Sequence, residues 1–175
     1  MRNIIIIFLL LLSNNVFADG YDVIGLGYYD IKFDGSEEDS AADFRYERRF
    51  DKSLLQIGPE NYDFFDIKPF AGFEGTSDSA TYFLVGIYLD DNAGTLFTGE
   101  KSNILITPSF GFGYYDDGDG KKLGNNIEFR TTIELSYELE NKNRIGFSFG
   151  HISNANIGDK NPGVEILGIS YQIPY

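Results

Sequence analysis

The 175-residue chain has no cysteine, no tryptophan, one methionine and one histidine. Without cysteine there is no disulfide, no thiolate metal site and no cysteine nucleophile. With His151 as the single imidazole, a site that needs two is excluded, and any histidine base must be His151. Basic residues are also scarce, 14 Lys and Arg against 27 Asp and Glu. Nucleic acid is therefore not an expected partner, because neutralising phosphates takes clustered cations. Long hydrophobic runs are missing too. The longest, Ile4 to Leu12, is too short to cross a bilayer as a helix.

That run has the form of a secretory signal. Arg2 supplies the positive start, and Val16-Phe17-Ala18 ends on a small residue, so cleavage is expected between Ala18 and Asp19. Residues 1–18 are then a removed leader and 19–175 the mature domain. Losing Arg2 leaves 13 basic against 27 acidic residues, a formal charge of −14. Most of that acidity is expected to keep loops in water.

Alternation with a period of two residues dominates the remainder, broken by clusters of Gly, Asn and Asp. Strands are expected near 21–33, 41–50, 62–74, 79–90, 103–115, 124–139, 143–154 and 163–174, with polar loops around 34–40 and 116–120. Eight strands suit an all-β, antiparallel, up-and-down transmembrane β-barrel. The segment 127–139 places Ile127, Phe129, Thr131, Ile133, Leu135, Tyr137 and Leu139 on one face. Glu128, Arg130, Thr132, Glu134, Ser136 and Glu138 fall on the other. The segment 41–50 repeats the pattern, with Asp43, Arg45, Glu47 and Arg49 opposite Phe44, Tyr46 and Phe50. Mixed charges on one face of several strands fit a narrow lumen where they pair, leaving the apolar faces to lipid. A soluble binding barrel would reverse this, and it is the structural rival. The last strand alternates Ile169, Tyr171, Ile173 and Tyr175, ending on an aromatic as outer-membrane barrels commonly do. The 12 Tyr and 16 Phe supply interfacial girdles. The connections at 51–61 and 91–102 come out longer than turns on the periplasmic side should be.

Chemistry concentrates near the end of the seventh strand. His151 and Ser153 are two residues apart and so share a face, close enough for a base to activate a hydroxyl. Glu165 opens the next strand, across a hairpin, where a carboxylate can bond the far imidazole nitrogen and fix its tautomer. Ile145, Phe147 and Phe149 share the face of His151 and Ser153, while Leu167, Ile169 and Tyr171 share that of Glu165. Those are lipid-facing sides. Such a set makes sense if the substrate is a membrane lipid whose ester lies at headgroup depth and whose acyl chain runs along Phe147 and Phe149. From the residues alone, a catalytic set and an incidental interfacial cluster are about equally supported. Asn154 and Asn161-Pro162-Gly163 also read as turn residues. The acidic loop YYDDGDGKKLG lacks the closing Glu of an EF-hand, so no metal site is assigned.

The stretch HISNANIGDKNPGVE, at 151–165, resembles the active-site signature of the PagL family of outer-membrane lipid A 3-O-deacylases, or acyloxyacyl hydrolase-like proteins. The resemblance extends back through LGNNIEFRTTIELSYEL and PSFGFGYYDDG, roughly the last seventy residues. It implies an outer-membrane barrel that hydrolyses the ester-linked 3-hydroxyacyl chain at position 3 of lipid A, without metal or organic cofactor. It assigns His151 as general base, Ser153 as nucleophile, Glu165 as third triad member and Asn154 as oxyanion-hole donor. The expected partners are lipopolysaccharide and outer-membrane lipid, with a homodimer left open. Three other readings remain: a non-catalytic barrel such as an adhesin, an esterase for another membrane lipid, and a soluble periplasmic lipid-binding barrel.

Overall fold

A computed structural model describes residues 19–32, 40–57 and 66–175. The predicted leader lies outside the described residues. Among the described residues ten strands follow in chain order: β1 (Gly20–Tyr29), β2 (Ala41–Phe50), β3 (Leu55–Gln56), β4 (Asp66–Thr76), β5 (Thr81–Tyr88), β6 (Asp91–Asn92), β7 (Ile104–Asp116), β8 (Ile127–Glu138), β9 (Arg144–Ser153) and β10 (Val164–Pro174). One short helix, α1 (Ala93–Thr98), lies between β6 and β7. Eight of the strands form a ring in the order β2, β1, β10, β9, β8, β7, β5, β4, and antiparallel pairing of β4 with β2 closes it. Closure leaves no sheet edge to be satisfied in lipid. This is the expected eight-stranded antiparallel barrel.

The lumen is filled by the charges that alternate along β2 and β8. In the closed ring these two strands stand four places apart, on opposite walls. Their side chains meet across the middle. Arg45 and Arg49 of β2 donate to Glu134 of β8 at 2.9 and 2.8 Å, and Ser170 and Gln172 of β10 donate to the same carboxylate at 2.8 Å each. Arg130 of β8 bridges Glu47 and Glu74, the latter at 2.6 Å. Charges this deep survive only when paired. The network therefore sets the register, because a slip of one residue would turn every one of these groups into lipid. Outside, Leu26, Phe112, Leu135, Phe147 and Ile169 are among the exposed apolar side chains that make a belt. A soluble barrel with an apolar lumen is thereby excluded.

Strand limits differ from the sequence expectation at several ends. β1 stops at Tyr29, where Asp30 takes a left-handed φ of 57°. β8 begins at Ile127, after Gly124 has turned the chain at φ 91°. Positions 33 and 62–65 of the predicted strands lie outside the described residues. The two long connections carry structure of their own. β3 pairs with the start of β4, and β6 pairs with β7. Asn92 caps α1 by accepting from the Thr95 N–H at 3.1 Å, and Gly99 ends the helix at φ 79°. A two-residue strand or a six-residue helix is too short to show a period.

Candidate active site

The two rims of the barrel differ. One carries the start of β1, the end of β10, the connections that hold β3, β6 and α1, and the turn at 139–143. The other carries the loops at 117–126 and 154–163, and the candidate site lies there, at the end of β9. Alternation turns Ile145, Phe147, Phe149, His151 and Ser153 outward, and Gly146, Ser148, Gly150 and Ile152 inward. On β10, Glu165 and Ile169 turn outward likewise. His151 and Glu165 are direct cross-strand partners, with Nδ1 3.2 Å from Oε1. A carboxylate only accepts, so Nδ1 carries the proton in this pairing. That leaves the Nε2 lone pair as the basic position. Gly163, at φ 62°, lies under the ring. A Cβ there would stand 2.8 Å from His151 Cε1, so a side chain would displace the imidazole.

Asn154 points the other way. Being one residue past Ser153 it faces inward, and its side chain is fully buried. Its Nδ2 donates to the carbonyls of Leu123 at 2.8 Å and Lys160 at 2.7 Å, and its Oδ1 accepts from the Asn156 N–H at 3.0 Å. Its own N–H donates to Asn161 Oδ1 at 3.0 Å. The expectation that the Asn154 amide is itself an oxyanion donor is therefore corrected: both of its hydrogens are committed to backbone carbonyls, away from Ser153. What the amide does is clamp a turn. Ile157 N–H donates to Asn154 O at 3.0 Å, with Ala155 at φ 53° and Asn156 at φ 63° between them. Two successive left-handed non-glycine residues are costly and persist only when their surroundings hold them. Among the described residues, the Ala155 N–H is the one in the 154–157 turn with no partner inside the chain.

A shallow groove of about 300 Å³ adjoins Ser153 and His151. Its other lining residues are Ala155, Thr131 and Phe129 of β8, and Phe110 of β7, with the two Phe rings stacked 6.1 Å apart. Phe147 and Phe149 face outward as expected, 52 % and 38 % exposed, but they lie along β9 and do not line this groove. Sequence reasoning found the outward parity of Phe129 and Thr131 without connecting it to Ser153. The connection is a matter of register, in which Phe129 pairs with Ser153 and Thr131 with His151.

Residues 26–174 match the family described as lipid A 3-O-deacylase (PagL). The chain belongs to that family. PagL membership makes the barrel an outer-membrane one and its apolar belt a lipid-facing surface. A 51-residue stretch is 39 % identical to the lipid A deacylase PagL of Bordetella bronchiseptica (strain ATCC BAA-588 / NCTC 13252 / RB50). That stretch spans 29 % of this chain and 29 % of the relative. The fold is similar to the crystal structure of the outer membrane enzyme PagL, with a TM-score of 0.60 at 18 % identity over 89 % of this chain and all of that one. It is also similar to a de novo designed transmembrane β-barrel, at TM-score 0.53 and 14 % identity, covering 87 % of this chain and 93 % of the other. The His151 and Glu165 rim is the one opposite the turn at 139–143, where β9 ends and β10 begins.

Proposed function

We propose that this barrel removes the ester-linked 3-hydroxyacyl chain at position 3 of lipid A by a serine mechanism, after export directed by the leader at 1–18. The observation that carries the reading is the His151–Glu165 pair, 3.2 Å apart on the lipid-facing wall, with Ser153 two residues on at the edge of an apolar groove. A protein built only to span the membrane gains nothing from an imidazole–carboxylate pair held against lipid.

In this mechanism His151 Nε2 takes the proton of Ser153 Oγ as that oxygen attacks the ester carbonyl. Glu165 holds the ring and stabilises the imidazolium that forms. The tetrahedral oxyanion accepts from the Ala155 N–H, which has no partner among the described residues. When the intermediate collapses, the C–O bond to lipid A breaks and its 3-hydroxyl leaves with the proton from His151. Water, with His151 again as base, then attacks the acyl-serine and releases the 3-hydroxy fatty acid. Purified, refolded protein incubated with lipid A is expected to release that acid and leave the remaining chains in place. Release of a different chain, or cleavage of phospholipid alone, would show an esterase of another specificity. No hydrolysis by a folded barrel would leave the non-catalytic reading.

Asn154 acts in this account as a positioning residue. Asn154→Ala removes the clamp on the strained turn and is expected to lower turnover roughly 100-fold, the scale of losing one oxyanion donor. Asn154→Asp should not rescue, since it keeps the acceptor but aims a carboxylate at two carbonyls. Wild-type turnover in Asn154→Ala would mean that the turn holds its shape without the clamp.

A further inference from the structure

Glu128 stands apart from the paired charges of the lumen. Glu47 and Glu134 are fully buried and held by arginines. Glu128 is just as buried, yet neither of its side-chain oxygens has a hydrogen-bond partner among the described residues. Arg130, two residues along β8 on the same face, is turned to Glu47 and Glu74 instead. The Tyr82 hydroxyl donates to the Glu128 backbone carbonyl at 2.7 Å and leaves the side chain alone. This end of the lumen is closed by the packed side chains of Tyr82, Tyr115, Leu123, Ile152 and Val164. A carboxyl buried there without a partner lowers stability, and an apolar side chain of similar size would be the better core residue.

Register says what Glu128 faces. Phe129 pairs with Ser153, so one step on Glu128 lies opposite Asn154, with both side chains buried on the lumen side. The Glu128 carboxyl stands beside the donating end of the Asn154 amide. That same Nδ2 gives its hydrogens to the Leu123 and Lys160 carbonyls, while Oδ1 holds the Asn156 N–H. A half-turn of the amide would exchange donor for acceptor and break all three bonds. An acceptor beside Nδ2 favours the observed setting, because side-chain dipoles orient in the local field.

We propose that Glu128 is a positioning residue for the reaction: from inside the barrel it sets the Asn154 amide, and through it the turn that carries the Ala155 N–H. The inference rests on the proposed serine mechanism and adds a residue on the opposite face of the wall from Ser153.

Stability and activity should therefore move in opposite directions. Glu128→Leu removes the unpaired carboxyl, so the refolded barrel should keep or raise its urea midpoint. Its kcat for release of the 3-hydroxy fatty acid should fall roughly tenfold, less than outright loss of an oxyanion donor. KM should change little, since the groove is intact. Glu128→Gln keeps an acceptor of the same reach and should restore most of the lost turnover. In the Asn154→Ala background Glu128→Leu should add little further loss, because one residue acts through the other. Hydrogen exchange followed by NMR gives a readout free of catalysis. In Glu128→Leu the Asn156 N–H should exchange several-fold faster, while the amides of β1 keep their rates. A wild-type kcat in Glu128→Leu would overturn the proposal while leaving Ser153 as nucleophile. So would a urea midpoint that drops together with activity, the mark of a merely structural residue. Absence of hydrolysis by the folded, unsubstituted protein would instead remove the serine mechanism, and the positioning role with it, even where Asn156 exchange still responds to Glu128.

Discussion

Ser153→Ala is expected to cut release of the 3-hydroxy fatty acid by about four orders of magnitude or more, the scale seen when a serine nucleophile is removed. The barrel should be untouched. Ser153 is half-exposed on the lipid side, at the outer end of β9, and supports no part of the lumen network. Heat-dependent gel mobility should therefore match that of the unsubstituted protein. The turn behind it would still present the Ala155 N–H and the groove would still take lipid, which accounts for whatever residual rate remains. Undiminished release from the alanine variant would take Ser153 out of the mechanism, whatever His151 and Glu165 then do.

The second large effect concerns the fold. Glu134 is fully buried and accepts from Arg45, Arg49, Ser170 and Gln172. Among the described residues, Glu134→Ala leaves Glu47 as the one carboxylate still paired with both Arg45 and Arg49, and breaking a buried pair in this way typically costs about 3–5 kcal/mol. The expected result is a clearly lower urea midpoint for the refolded barrel, with Glu134→Gln falling between the two. Replacing Glu134 together with Arg45 by apolar residues should recover much of the loss, since Arg49 and Arg130 then balance Glu47 and Glu74. An unchanged midpoint in Glu134→Ala would show that the network does not hold the two walls together.

Much of this was legible from alternation alone. Glu134 and Arg45 each sit on the charged face of an alternating segment, and that pattern predicted a paired lumen before any strand was placed. The outward direction of His151, Ser153 and Glu165 followed from the same parity. Parity also held the answer for Asn154, since a residue one step past an outward serine turns inward, and the resemblance to a known signature obscured it. The groove was hidden for a different reason. Phe110 lies 43 positions before Ser153 in the chain, and only the register of β7, β8 and β9 brings them to one hollow. Register depends on loop lengths and lumen packing, which no single segment displays. β3, β6 and α1 escaped because a few residues cannot show a period.

The most direct single measurement is mass spectrometry of lipid A from bacterial cells that produce this protein, compared with cells that produce the Ser153→Ala form at equal levels in the outer membrane. The account predicts lipid A lighter by one 3-hydroxyacyl chain, lost from position 3, only in cells with Ser153 intact. Identical lipid A in both, with each barrel folded in the outer membrane, would contradict it.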